Sequence, residues 1–292
     1  MTVAELKKSG LEILLHTQKG STTVTQTPEL DIVIFLSFIL GTNKSFIMAH
    51  PEKDVSQIQA KLFFEAIDKR KEGLPVAYIT RNREFWGLPF FVTPSVLIPK
   101  ADTEILVERA IQILEIQKNL LPRPPQVLDI CTGSGCIAIA LKHTIPEIIV
   151  TATDISLDAL SIAKQNSELL VNDTITFLQE DLSEGIPSIP GKWDLIVSNP
   201  PYVPSTIASE LLEDGRNEPI LALDGGKDGL DLVRALIPHA YASLATNGYI
   251  LIETGEYNAQ MAATYLKREG FVDIVIHTDL ENQDRVVEGK KQ

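Results

Sequence analysis

Val127-Leu128-Asp129-Ile130, Cys131-Thr132-Gly133-Ser134-Gly135 and Cys136-Ile137-Ala138-Ile139-Ala140 follow one another without a gap, and they read as a strand, a glycine turn and a helix. The glycines let the backbone turn sharply and approach a ligand closely, and the helix that follows offers free N–H groups at its start. Asp154 stands just after the next apolar run, Ile148 to Thr153, where folds of this kind grip ribose hydroxyls. The stretch therefore predicts an α/β fold built around a nucleotide-type cofactor loop.

Working outward, Ile175 to Leu178, Leu195 to Ser198 and Tyr249 to Ile252 are further short apolar runs, most of them separated by helical stretches. That alternation predicts a parallel, doubly wound sheet. A helix around Ala259 to Arg268 and two closing strands, Phe271 to Ile276 and Arg285 to Glu288, complete the tail. On the other side of the loop, Asp102 precedes the periodic run Ile105 to Leu114 and is expected to cap a helix. Val76 to Ile79 and Glu84 to Val92, around the polar turn Arg81-Asn82, suggest a β-hairpin. From Val3 to Glu72 the pattern is helical, clearest where Val55, Ile58, Leu62, Phe63 and Ala66 would share one face. The expected organisation is a helical substrate-recognition domain over 1–75, a β-hairpin linker over 76–95 and a catalytic domain over 96–292.

The chain has 292 residues, is 44% apolar and carries a net charge of -13, so it repels phosphate backbones and has no basic footprint for nucleic acid. The apolar run Ile32 to Leu40 is too short to span a bilayer and reads as a buried helix. The first ten residues lack the apolar stretch of a signal peptide. Two cysteines, Cys131 and Cys136, fit neither a disulfide framework nor a zinc site, and they read as small packing residues of a cytoplasmic protein. A monomer that engages no membrane and no metal is expected.

By itself Gly133-Ser134-Gly135 through Ala138 also fits a dinucleotide fingerprint, which leaves an oxidoreductase open. Asp129, ending the first strand, sits poorly beside a pyrophosphate and suits the cationic methionine end of S-adenosylmethionine. Glu180 and Asp181 would border the adenosine. The fourth strand runs into Asn199-Pro200-Pro201-Tyr202, at the carboxyl edge of the sheet where ligands bind. A carboxamide or exocyclic amine nitrogen is a poor nucleophile whose two N–H groups lie in the plane of its π system. The Asn199 side-chain oxygen and the Pro200 carbonyl can accept one hydrogen each, the prolines fix that backbone, and Tyr202 can stack on the planar group. The tetrapeptide does not separate a protein amide from the N6 of adenine in DNA or RNA.

Several longer motifs narrow the choice. Pro75 to Thr80, Arg83 to Gly87, Leu97 to Glu104, Glu218-Pro219 and Ala222 to Leu230, together with the cofactor loop and the tetrapeptide, resemble the PrmC/HemK family over nearly the whole chain. Members of that family are protein-(glutamine-N5) methyltransferases acting on the Gly-Gly-Gln glutamine of peptide chain release factors. The resemblance implies a Rossmann-like class I methyltransferase domain whose sheet ends in an antiparallel strand, and a helical N-terminal domain that helps hold the release factor. It implies that Cys131, Thr132, Gly133, Ser134, Gly135, Asp154, Asp181, Leu182 and Asn199 meet S-adenosylmethionine and its product S-adenosylhomocysteine. Asn199, Pro200, Pro201 and Tyr202 would bind the glutamine and carry the chemistry. Two departures stand out: Cys131 replaces a usual Gly, and Lys100-Ala101 replaces Arg-Pro.

Overall fold

The computed structural model describes residues 1–17, 25–172, 174–185, 192–213 and 217–292. Two compact units emerge, Met1–Asn82 with Ser209–Asn217, and Arg83–Ala208 with Glu218–Gln292.

The first unit holds α1 (Val3–Thr17), α2 (Pro28–Leu40), α3 (Lys44–Ala49), α4 (Gln57–Lys71) and α5 (Val76–Thr80). The Ile32 to Leu40 run falls in α2, which begins on Pro28 and ends on Gly41 in the left-handed conformation, the favoured residue at each end. Ser56 and Gln59 form a capping box that starts α4. Leu6, Phe35, Leu36, Phe63 and Ile67 are fully buried in one apolar cluster. The face expected for α4 is rotated. Ala60, Phe63, Ala66 and Ile67 are buried, whereas Ile58 and Leu62 face solvent, because the 58/62 row lies beside the packed stripe and not on it. Arg70 Nε reaches the buried Asp31 carboxylate at 2.8 Å and ties α4 to α2.

Val76 to Ile79, expected as a strand, is the helix α5. Pro75 supplies its N-cap, Thr80 Oγ1 donates back to the Val76 carbonyl at 3.0 Å, and Arg81 ends it at φ 54. Its Val76 and Ile79, three apart, pack on the helical cluster, and that tertiary gain outweighs the β-propensity of the residues. The hairpin itself is β1 (Asn82–Phe85) with β2 (Leu88–Phe91), turning at Trp86-Gly87. Both turn residues have positive φ, 54 and 71, as the twist-matched two-residue turn requires.

The second unit continues with α6 (Glu104–Leu120), β3 (Gln126–Ile130), α7 (Cys136–Thr144), β4 (Ile149–Asp154), α8 (Leu157–Val171), β5 (Thr176–Gln179) and β6 (Trp193–Ser198). After these come α9 (Ser205–Glu213), whose residues from Ser209 on are counted with the first unit, α10 (Asp231–Ser243), β7 (Leu244–Glu253), α11 (Ala259–Glu269), β8 (Val272–Thr278) and β9 (Asp284–Lys290). Asp102 does not cap α6. It lies in a single 3-10 turn, Ala101–Thr103, without a side-chain cap bond, and faces Arg285 Nη2 at 3.4 Å.

The sheet runs β5-β4-β3-β6-β7-β9-β8. Its first five strands are parallel, and β9 lies antiparallel between β7 and β8. The final strand of the chain is thus the antiparallel one, but it is not at the edge. Every residue of β6 is buried, as befits a central parallel strand covered on both faces. The strand order reverses between β3 and β6, and ligands bind outside the carboxyl ends at such a switch point. Register fixes what meets there. Ile130 lies opposite both Thr153 and Ser198, and Ser198 lies opposite Ile252. The next residue of each strand or loop, namely Cys131, Asp154, Asn199 and Glu253, therefore falls in one row across the edge.

Candidate active site

The cofactor loop departs from β3 through three residues of positive φ: Cys131 at 60, Gly133 at 56 and Gly135 at 81. The two glycines serve different ends. A Cβ on Gly133 would meet no protein atom within 4 Å, whereas one on Gly135 would come 3.0 Å from Ile139 and 3.2 Å from Ala163. Gly133 thus opens onto the cavity and Gly135 lets α7 pack on α8. Cys131 occupies a left-handed position that favours glycine, which accounts for the family's usual residue there. Burial raises both thiols, Cys136 to about 12, so neither is a nucleophile at neutral pH.

Asp129 is fully buried and is absent from the cavity wall. Its Oδ2 accepts from Thr132 Oγ1 at 2.6 Å and from the Ala138 N–H at 3.2 Å. It fastens the loop to the first turn of α7, while its Oδ1 has no hydrogen-bond partner among the described residues. Burial pushes its carboxyl up to about 7. Asp154 is on the wall, with Oδ2 accepting from the Gly133 N–H at 2.8 Å and Oδ1 from the Ser156 N–H at 2.9 Å. Burial raises its carboxyl too.

The open cleft at this edge spans about 1140 Å³, open solvent at its mouth included. Cys131, Thr132, Gly133, Ser134, Asp154, Asp181, Leu182, Asn199 and Pro201 stand on its wall; Gly135, Pro200 and Tyr202 do not. Glu180, beside Asp181, is also there, and the wall's one cation among the described residues is Lys100. Lys100 Nζ is held by the buried Glu218 carboxylate at 2.6 Å, which also accepts from the Ile98 N–H. The Lys100 departure is thereby anchored to the Glu218-Pro219 motif. Three carboxylates and one paired lysine disfavour a pyrophosphate, and Asp154 already uses the Gly133 N–H that a phosphate would need. The same wall suits a cationic, ribose-bearing ligand.

After β6 the backbone of Asn199-Pro200-Pro201-Tyr202 is braced by the loop before α10. Val203 N–H donates to the Leu223 carbonyl at 2.9 Å, Gly225 N–H to the Val203 carbonyl at 2.8 Å, and Asn258 Nδ2 to the Tyr202 carbonyl at 3.0 Å. A Cβ on Gly225 would lie 2.6 Å from the Pro201 carbonyl oxygen, and one on Gly229 would lie 2.2 Å from that of Tyr202. Gly225 and Gly229 of Gly225-Gly226-Lys227-Asp228-Gly229 are there for close backbone approach, whereas a Cβ on Gly226 would meet the Asp231 side chain. Tyr202 turns its hydroxyl to Glu253 Oε1 at 3.2 Å, away from the wall. Burial and then the Glu253 charge push its phenol well above the usual range, so it is no base. Asn199 Nδ2 donates to Thr103 Oγ1 at 3.3 Å.

Thr103, Glu253, Asn258 and the braced glycines carried no expected role from the sequence. The glycine cluster is the signal that could have found the brace. Among the described residues no group of His, Cys, Asp and Glu is placed to hold a metal ion, and no helix is long and apolar enough to cross a membrane.

An acidic cofactor cavity at the switch point of this strand order belongs to the Rossmann-like class I methyltransferases. Sequence comparison agrees. Residues 111–218 match the family "Methyltransferase small domain" and residues 18–80 match "PrmC N-terminal domain". The release factor glutamine methyltransferase of Clostridium acetobutylicum is 36% identical over 259 residues, 88% of this chain and 89% of that one. The one from Bradyrhizobium diazoefficiens is 39% identical over 266 residues, 90% of this chain and 88% of that one. The chain belongs to the release factor glutamine methyltransferase family. Among solved structures, the hMettl16 catalytic domain in complex with the MAT2A 3′UTR hairpin 6 shares the fold. Its TM-score is 0.54 at 14% identity, covering 80% of this chain and 82% of that one.

Proposed function

We propose that this protein transfers a methyl group from S-adenosylmethionine to the side-chain amide nitrogen (N5) of the Gly-Gly-Gln glutamine in peptide chain release factors, in the cytoplasm. The observation that carries the reading is Asn199, set by strand register beside the glycine loop and on the same cavity wall. The identity of the full-length relatives supports the acceptor.

Residues Cys131 to Gly135, Asp154, Asp181, Leu182 and Asn199 would hold the cofactor, which supplies an electrophilic methyl carbon and leaves as S-adenosylhomocysteine. Gly133 leaves the open space the ligand needs, and the carboxylates suit its ribose and its positive charge. Asn199 Oδ1 and the Pro200 carbonyl accept the two amide hydrogens and aim the nitrogen lone pair. Pro201 and the braced backbone keep those acceptors still, and Tyr202 secures the turn through its hydroxyl. Orientation of this kind is worth roughly 7–11 kcal/mol of barrier. No base is needed before transfer, because the amide proton becomes acidic only after alkylation. The net charge of -13 supports a protein acceptor over nucleic acid.

Peptide mass spectrometry of a purified release factor incubated with the protein and S-adenosylmethionine tests this, with duplex DNA as a parallel acceptor. One added methyl on the Gly-Gly-Gln glutamine is expected; methyl transfer to DNA alone would overturn the acceptor. A release factor with Glu in place of that Gln should be rejected by roughly 10⁴-fold. Asn199→Ala should abolish turnover while S-adenosylhomocysteine still binds, and undiminished turnover would remove Asn199 from the chemistry.

A further inference from the structure

One face of α8 lies along the cofactor cleft. Ala159 stands on its wall, Ala163 packs against Gly135, and Asn166 follows at the same helical spacing. Asn166 is 1% exposed and is not on the wall, so it lies behind the ligand space. Its carboxamide bonds to backbone alone: Oδ1 accepts from the Phe91 N–H at 2.8 Å, and Nδ2 donates to the Phe91 carbonyl at 3.0 Å and to the Ser134 carbonyl at 2.9 Å. Both donors are used, and turning the group over would set its oxygen against two carbonyls, so these bonds hold as a set.

They join two separate parts of the wall. Ser134 belongs to the glycine loop, and its peptide link to Gly135 is held at both ends, the carbonyl by Asn166 and the Gly135 N–H by the Thr132 carbonyl at 2.8 Å. Phe91 ends the hairpin and leads into Ser95, Val96, Leu97 and Pro99, which line the same cleft. The far end of that run is tied back to the hairpin by Arg83 Nε, which donates to the Pro99 carbonyl at 3.1 Å. A single buried side chain thus sets the span between the glycine loop and the 95–99 segment.

We propose that Asn166 is a positioning residue for the cofactor: by tying the hairpin to the glycine loop it fixes the width of the S-adenosylmethionine cleft and couples cofactor affinity to hairpin order. The coupling is reciprocal, so a bound cofactor steadies the hairpin as far as the hairpin strengthens its binding.

Hydrogen exchange of the wild type with and without S-adenosylhomocysteine makes the first test. The ligand should slow the Phe91 amide, which is bonded to Asn166, together with the amides of Thr132 to Gly135; slowing confined to the loop overturns the proposal. Calorimetry then compares three variants. Asn166→Leu leaves the Phe91 N–H and the Phe91 and Ser134 carbonyls without their partner. Asn166→Asp still accepts from Phe91 but has no N–H for either carbonyl. Trp86→Phe loosens the other end of the hairpin, where the indole Nε1 donates to Thr144 Oγ1 at 3.0 Å, and should bind S-adenosylhomocysteine like wild type. Both Asn166 variants should lose affinity for it on the order of 10-fold, and the ligand should no longer slow Phe91, while exchange in the buried strand β6 stays as in wild type. An Asn166 variant with wild-type affinity, or one whose β6 amides speed up as much as Phe91, overturns the proposal. Should Asn166→Leu fail to fold, the wild-type exchange and Asn166→Asp still decide. No acceptor enters these measurements, so a protein that methylates no release factor glutamine would overturn the proposed function and leave this coupling to stand or fall on its own.

Discussion

Gly229→Ala should cripple turnover while leaving the cofactor cavity intact. Gly229 sits at φ +75, and an added Cβ would lie 2.2 Å from the Tyr202 carbonyl oxygen and 2.7 Å from Asn258 Nδ2. It would wedge into the 3.0 Å hydrogen bond those two atoms make. Relieving the contact to oxygen requires the backbone to move by about 1 Å, since unstrained carbon and oxygen stay more than 3 Å apart. The left-handed φ costs about 1–2 kcal/mol for a residue with a Cβ, and overpacking against backbone adds about 1–3 kcal/mol. Stability should fall by roughly 2–5 kcal/mol. A shift of that size at Tyr202, three residues from Asn199, should cost kcat on the order of 10²-fold. Gly87→Ala is the control: its φ is +71, but nothing lies within 4 Å of the added carbon. It should show the φ cost alone and normal turnover. Urea unfolding, single-turnover methylation and calorimetry with S-adenosylhomocysteine measure the three effects. A Gly229→Ala protein with wild-type kcat, or one whose cofactor affinity falls as far as its kcat, would refute the brace.

Gly133→Ala and Gly135→Ala should part in the same way. The first should weaken S-adenosylhomocysteine binding in calorimetry more than it lowers Tm, because its Cβ enters open cavity space; the second should lower Tm more, because its Cβ meets Ile139 and Ala163. Stability should also have an optimum in mildly acidic solution. Burial alone would raise Glu288, but hydrogen bonds from Arg109 and His277 bring it down to about 2, so its contribution is present above its ordinary pKa near 4.5 and is lost as pH falls toward 2. Asp129 and Glu253, raised to about 7 by burial, act oppositely: folding is favoured while they are protonated, and that advantage is lost as pH rises from about 4 through 7. Urea unfolding across pH checks this, and Asp129→Asn should flatten the alkaline side; an unchanged profile would show that Asp129 does not titrate there.

Much of the second unit was legible because its signals are local. The runs at Val127, Ile148, Leu195 and Tyr249 are strands because apolar, β-branched residues recur between turn formers. Cys131 to Gly135 is a turn because Gly133 and Gly135 supply the positive φ it needs. Local signals failed where packing decided. Val76 to Ile79 has strand composition but packs two half-buried side chains, Val76 and Ile79, on the helical cluster at helical spacing, Ile58 and Leu62 lie just off the packed stripe of α4, and Asp102 faces Arg285 in place of a helix end. The hairpin turn was set by Trp86-Gly87, whose paired positive φ values match strand twist, and not by the more polar Arg81-Asn82.

The sequence by itself determined the parallel strands of the second unit, the cofactor loop, Asp154 and the tetrapeptide, since each is written in neighbouring residues. Only the tertiary structure decided that Asn199 would lean on Thr103, 96 residues away, that Tyr202 would turn to Glu253, 51 residues away, and that Lys100 would be held by Glu218, 118 residues away. Those partners are chosen by strand register and by the need of buried polar groups to find one another, and neither leaves a mark at fixed spacing along the chain.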